Sequence, residues 1–160
     1  MRKFKNNLKM RAVQSTEDKN FFLKCVDSDD YKLFVSEEYR DDRDDIFVFE
    51  DNLNLIGMTV LNLSFEGNIL IARPVLIMTR KKSINTFNAI LLLLNYLFEL
   101  EKVHRVEVNV YGNNKEMLQI MNKGIFTYEG NLQFVKKING VWISMYFYSL
   151  LREEYEKYVD

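Results

Sequence analysis

This sequence of 160 residues holds one cysteine, one histidine, one proline and six glycines, and each scarcity removes a possibility. With Cys25 alone no intrachain disulfide can form, and a reducing compartment suits the chain. His104 alone argues against a multi-histidine metal site and against a serine–histidine–aspartate triad, so no metal is expected. So few glycines and prolines argue against long flexible linkers. Neither sign of charge dominates: 22 Lys+Arg stand against 23 Asp+Glu, a net charge of −1, which leaves no electrostatic case for binding nucleic acid. Residues 1–10 are basic but lack the apolar centre of a secretory signal. The apolar run 89–94 is bounded by Asn88 and Asn95, far short of the ~20 residues that span a bilayer. A cytoplasmic protein with no membrane partner is the expectation.

What the chain does have is apolar bulk. Hydrophobic residues make up 48%, with 12 Phe and 9 Tyr, enough for one domain over residues 1–160 with a substantial core. Cys25 falls on an apolar helical stripe with Phe21, Phe22 and Val26, which reads as core rather than nucleophile. Acidic residues bunch at Glu37, Glu38 and 41–45; a solvated loop is the plain reading, a negative rim for a cationic amine the functional one.

Periodicity predicts a strand at 10–13, then a helix to Val26 whose start is capped by Ser15 and charged by Glu17 and Asp18. Residues 27–45 read loosely as helix and loop. A meander follows, with strands at 46–49, 55–63 and 69–78, turns at 50–54 and 65–68, and a break in pairing at Pro74. Residues 83–101 are apolar nearly all round, the pattern of a helix packed across a sheet. Val106, Val108 and Val110 alternate in a strand at 105–110, and Asn113 or Asn114 caps a short helix to Asn122. Strands 126–136 and 141–150 close a hairpin at Asn139–Gly140, and 153–158 end as helix or tail. The order implies an α/β fold: a mixed central sheet with an antiparallel meander, one parallel βαβ unit and helices on both faces.

The informative turn is Arg80-Lys81-Lys82-Ser83-Ile84-Asn85, between a strand and the long helix. Free amides and the positive end of the helix dipole make such a place an anion site suited to a pyrophosphate. From residue 79 to 155 the chain resembles the GNAT superfamily of acyl-CoA-dependent N-acetyltransferases, in the branch that includes ribosomal-protein alanine and serine N-acetyltransferases, spermidine acetyltransferases and amino-sugar acetyltransferases. The resemblance rests on that turn in the pyrophosphate-loop slot, Tyr96-Leu97-Phe98 on the long helix and the strand at 105–110. Asn114, Phe126-Thr127-Tyr128-Glu129-Gly130 and the closing Tyr148-Ser149-Leu150-Leu151-Arg152-Glu153 complete it.

The resemblance implies acetyl-CoA as cosubstrate, held by Arg80, Lys81, Lys82, Ser83, Ile84, Asn85 and Asn114. Its acetyl group would pass directly to a primary amine, on a small molecule or peptide, in a ternary complex. Departures from the family pattern bear on that expectation. Ser83 and Asn85 replace both loop glycines, where backbone must approach phosphate closely. Met121 stands where the family often carries the tyrosine that protonates the departing thiolate. Ile125-Phe126 replaces its Gly-Phe pair, with Gly124 adjacent, and Ser144 replaces an aspartate. Glu107 is the candidate base and Tyr111 a substitute acid; Glu50, Glu66 and His104 read as surface or structural groups. The alternative is a degenerate, non-catalytic GNAT domain that binds CoA or a protein. Edge strands of the last hairpin offer a way to pair two copies as a homodimer.

Overall fold

The protein is described here by a computed structural model, which covers residues 7–26, 45–79 and 83–159. Most of the loosely read segment 27–45, with Glu37, Glu38 and 41–44, lies outside the described residues, as do Arg80, Lys81 and Lys82. In chain order the elements are β1 (Leu8–Ala12), α1 (Thr16–Val26), β2 (Ile46–Asp51), β3 (Asn54–Val60), β4 (Leu63–Glu66), β5 (Ile69–Ala72), β6 (Val75–Met78) and α2 (Ser83–Asn95). A π-helical turn (Tyr96–Leu100), β7 (Arg105–Tyr111), α3 (Lys115–Met121), β8 (Thr127–Ile138), β9 (Val141–Leu151) and α4 (Arg152–Val159) follow. They sort into two compact units. Among the described residues one takes 7–26, 45–62, 74–79 and 83–96, and the other takes 63–73 and 97–159.

The first unit is an antiparallel sheet in the order β1-β2-β3-β6. Alternation sends Ile46, Val48, Met58, Val60 and Ile77 to one face, where they pack with Phe22 and Cys25 of α1. Val48 and Val60 are wholly enclosed, and each such side chain stabilises the unit by about 1.5–3 kcal/mol relative to exposure. Cys25 is core, its thiol pushed up to about 11 by burial. On the opposite face Phe47 meets the Tyr96 ring at 4.8 Å, so the chain leaving α2 runs on that side.

Gly57 of β3 shows how closely β6 approaches. A Cβ there would stand 2.5 Å from Met78 Sδ and 2.7 Å from the Ile77 carbonyl oxygen, and the second obstacle is backbone that cannot rotate away. Gly57→Ala is therefore expected to cost about 1–3 kcal/mol, seen as a lower urea midpoint at unchanged slope.

Entry into α1 is fixed by a reciprocal cap. Ser15 Oγ accepts from the Asp18 amide at 3.1 Å, and Asp18 Oδ2 accepts from the Ser15 and Gln14 amides at 3.1 and 2.9 Å. Arg11 then closes on the same carboxylate with two bonds, Nη1 to Oδ2 at 2.7 Å and Nη2 to Oδ1 at 2.9 Å, while its Nε reaches Glu50 at 3.0 Å.

The second unit is a five-stranded sheet in the order β4-β5-β7-β9-β8. The expected parallel unit is here: β5 and β7 run parallel through Ile71↔Arg105 and Ala72↔Val106, and every other pair is antiparallel. Strand β9 lies between β7 and β8. Val106, Val110, Tyr148 and Leu150 are buried on one face, with α3 there because the Tyr148 hydroxyl donates to Asn122 Oδ1 at its end. The β8–β9 hairpin turns at Asn139 (φ 48°) and Gly140 (φ 82°), the two positive angles of a type I′ turn.

Two expected strands are broken. Residues 55–63 do not stay in one ladder: β3 ends at Val60, the Leu61 amide donates to the Asp45 carbonyl, and β4 begins in the other sheet. Residues 69–78 divide at Arg73-Pro74 into β5 and β6, again in different sheets. Proline has no N–H to continue a ladder, and the residue before it avoids helical angles and stays extended. The long helix also changes character, from α to π at Tyr96. Arg152 Nη2 donates to the carbonyls of Phe98, within that turn, and of Val103, just beyond it, at 2.7 Å each, and Phe98 stacks on Tyr155 at 4.7 Å.

Candidate active site

Helix α2 begins at Ser83, so the amides of its first turn have no partner within the helix. Ile84 is 60% exposed there and Asn85 is half-buried. The first turn contains no acidic residue to cancel the dipole, so the helix end keeps its affinity for an anion. The preceding cations Arg80, Lys81 and Lys82 lie outside the described residues.

Strand β7 meets β5 at Arg105 and Val106; from Glu107 to Tyr111 its ladder partner is β9 alone, while β6 pairs with β3 in the other sheet.

Glu107 lies on β7 with both carboxylate oxygens engaged. Oε2 accepts from Arg73 Nε at 2.7 Å and Oε1 from Arg105 Nε at 2.9 Å. Arg73 also donates to Ser64 Oγ and Glu66, and Arg105 to Glu129, so the carboxylate sits within a chain of alternating charges. Glu129 is held below the usual carboxylate range by the Ser149 hydroxyl and then by Arg105.

Tyr111 ends β7 half-buried, and that burial raises its hydroxyl pKa. Lys136 Nζ stands 5.7 Å from the centre of its ring, a cation–π contact that fixes the ring's setting. Asn114 caps α3 as expected, its Oδ1 accepting from the Met117 amide at 3.2 Å.

Met121 is buried in α3 and cannot supply a proton. Gly124 takes φ 89°, so a left-handed turn is made immediately ahead of Ile125-Phe126. Ser144 accepts from the Phe134 amide at 3.2 Å. His104 is exposed and serves the sheet through its backbone, its amide donating to Leu70 and its carbonyl accepting from Arg152. Glu50 and Glu66, taken as turn residues, lie in strands and are ion-paired to Arg11 and Arg73.

Sequence reasoning missed Arg73 and Arg105, the two guanidiniums that organise this face. The spacing Arg105-x-Glu107 did place two charges on one side of a strand, but the partners 34 and 24 residues away depend on register.

Among the described residues no group of three His, Cys, Asp or Glu is placed to hold a metal ion, and no helix is long and apolar enough to cross a membrane. No protein-family model matches the sequence, and no curated protein matches it. Solved structures do. A spermidine N-acetyltransferase variant from Vibrio cholerae superposes with a TM-score of 0.75 at 19% identity, over 96% of this chain and 99% of that one. A chimera of a Vibrio cholerae spermidine N-acetyltransferase with hSSAT gives 0.73 at 21% identity, over 94% and 98%. A GNAT-family acetyltransferase from Bacillus anthracis gives 0.70 at 17%, over 92% and 96%. With its mixed α/β order and parallel β5–β7 pair, the chain has the GNAT fold of these acetyltransferases.

Proposed function

We propose that this protein is an acyl-CoA-dependent N-acetyltransferase that moves the acetyl group of acetyl-CoA to a primary amine, directly and within one ternary complex. The observation that carries the reading is the amino end of α2, whose first turn holds no acidic residue, directly after the basic sequence 80–82, in a chain with the GNAT fold. In this reading the pyrophosphate lies against the amides from Ser83 to Asn85, with Arg80, Lys81 and Lys82 supplying charge and Asn114 near the CoA arm. Residues 1–160 act as a single domain; the chain passes between its two units at 62/63, 73/74 and 96/97, so neither is a continuous segment. The acceptor is a small-molecule or peptide amine, a class in keeping with the spermidine named for the Vibrio enzyme.

Acetyl transfer needs the amine nitrogen to attack the thioester carbonyl and the departing thiolate to receive a proton. Tyr111 is the group we assign to that proton, because it is a phenol at a strand end and Met121 is unable to give one. Glu107 is assigned the amine's proton, which it takes by giving up one guanidinium bond. Tyr111→Phe should lower kcat by about 10²-fold or more with KM for acetyl-CoA unchanged. An equal kcat would remove Tyr111 from the chemistry.

Binding is tested by melting the protein with and without acetyl-CoA. At a hundredfold excess over Kd the folded state gains ~2.7 kcal/mol, a rise of about 5–10 °C for a domain of this size. No rise at saturating acetyl-CoA rejects the proposal. Buried Met121 favours a second reading, a CoA- or protein-binding domain without turnover; a rise in melting temperature with no free CoA released over a panel of amines would select it.

A further inference from the structure

The parallel ladder between β5 and β7 stops at Ala72↔Val106, and the next residue along each strand direction is charged: Arg73 on one side, Glu107 on the other. Pro74 follows Arg73 and has no N–H with which to continue the ladder. A side-chain bond takes over where the backbone stops, Arg73 Nε donating to Glu107 Oε2 at 2.7 Å.

Arg73 is fixed from its other side as well. On β4, Ser64 and Glu66 alternate onto one face, and they take the two remaining guanidinium nitrogens. Nη1 donates to Ser64 Oγ at 2.8 Å and Nη2 to Glu66 at 2.7 Å. All three nitrogens are engaged, by the strands on either side of β5. Arg105, by contrast, precedes Glu107 on the same strand and moves with it.

Magnitudes separate two uses for this arrangement. The side chains of Arg73 and Glu66 are 40% and 59% exposed, and ion pairs so open to water are worth about 0–1 kcal/mol. Stability is therefore not what the three bonds supply. Orientation is: a guanidinium is a planar fork, so three acceptors fix its plane as well as its place. The carboxylate it grips loses the rotameric freedom that a glutamate on an open strand keeps.

We propose that Arg73, set by Ser64 and Glu66, is the positioning residue that aims Glu107 at the acceptor amine. Glu107 takes the proton that the amine nitrogen sheds on bonding to the acetyl carbon, as the thiolate leaves; Arg73 holds the receiving carboxylate in line and exchanges no proton itself. The assignment rests on Glu107 as the base of acetyl transfer.

Release of free CoA from acetyl-CoA, with spermidine, glucosamine and a peptide bearing a free amino terminus as acceptors, tests it. Arg73→Lys keeps the charge and loses the fork, so kcat should fall about tenfold with KM for acetyl-CoA unchanged. In a Glu107→Gln background the same change should alter kcat less than about twofold, because no base is left to aim. Ser64→Ala removes a bond to Arg73 and none to Glu107; it should lower kcat about threefold, and Ser64→Thr should restore it. Each variant should melt within about 3 °C of the parent, and a larger drop in Arg73→Lys would mark the network as structural and overturn the proposal. Parent-like kcat in Arg73→Lys, or equal impairment with and without the Glu107 carboxylate, overturns the role of Arg73 and leaves acetyl transfer standing. Parent-like kcat in Glu107→Gln removes the base and this proposal together. No CoA release by the parent with any acceptor rejects acetyl transfer itself, and the proposal falls with it.

Discussion

Replacing Asp18 with alanine lowers the melting temperature by about 6–12 °C, on a loss of about 3 kcal/mol at neutral pH. The loss is large because one carboxylate closes several accounts together. It accepts from two backbone amides that otherwise face a buried surface, and from both arms of Arg11, while only 1% of it is exposed. Removing it strands two amides and leaves Arg11 with Glu50 as its remaining anion. The effect depends on pH with a definite sign. Arg11, first, and then the Gln14 and Ser15 amides hold the Asp18 carboxyl well below the usual aspartate range, against burial, which acts the other way. A carboxyl depressed in the folded state contributes fully above its unfolded pKa of about 4 and loses that contribution as pH falls below it. The gap between parent and Asp18→Ala should therefore be constant from neutrality to about pH 5 and shrink steadily on further acidification. Denaturant titrations at several pH values check this, and a gap that widens in acid would contradict the ion pair.

Ile84→Glu should weaken acetyl-CoA binding about 100-fold while leaving the fold as stable as before or slightly more so. The two expectations pull apart because they follow from the same field. Ile84 is 60% exposed, so its loss opens no cavity, and a carboxylate in the first turn of α2 favours the helix dipole by roughly 0.3–1 kcal/mol. That same carboxylate occupies the potential a diphosphate would use, and two like charges a few ångströms apart repel by about 3 kcal/mol near a protein surface. Calorimetric titration with acetyl-CoA, paired with thermal melts, reads both numbers. Unchanged affinity in a stable variant would mean that the diphosphate does not rest at this helix end.

Elements with strong local signals were legible in the sequence. The alternation Val106, Val108, Val110 defined β7, Asn139-Gly140 marked the hairpin, and Ser15 and Asn114 marked helix starts, because each depends on neighbours within a few residues. The partition of strands between two sheets was not. Pro74 announced a break in pairing but not that the two halves would take different partners, since partner choice is a matter of register and not of composition. The same limit hid the site's electrostatics. Glu107 was visible as a carboxylate on a strand; that Arg73 and Arg105 grip both its oxygens follows only once β5 and β7 are aligned. The basic residues before α2 and the presence of Met121 were plain from residue order alone.

The place of β9 between β7 and β8 has a bearing on how this sheet is assembled. Among the described residues β8 has no ladder partner other than β9, and β7 along most of its length has none either. A growing chain that has emerged only as far as residue 138 thus holds two strands waiting on a third, with their backbone groups open to any passing edge. Ordering of the unit must be a late, concerted event, and chaperone contact or premature termination before residues 141–151 are available leaves the carboxyl-terminal unit without its middle.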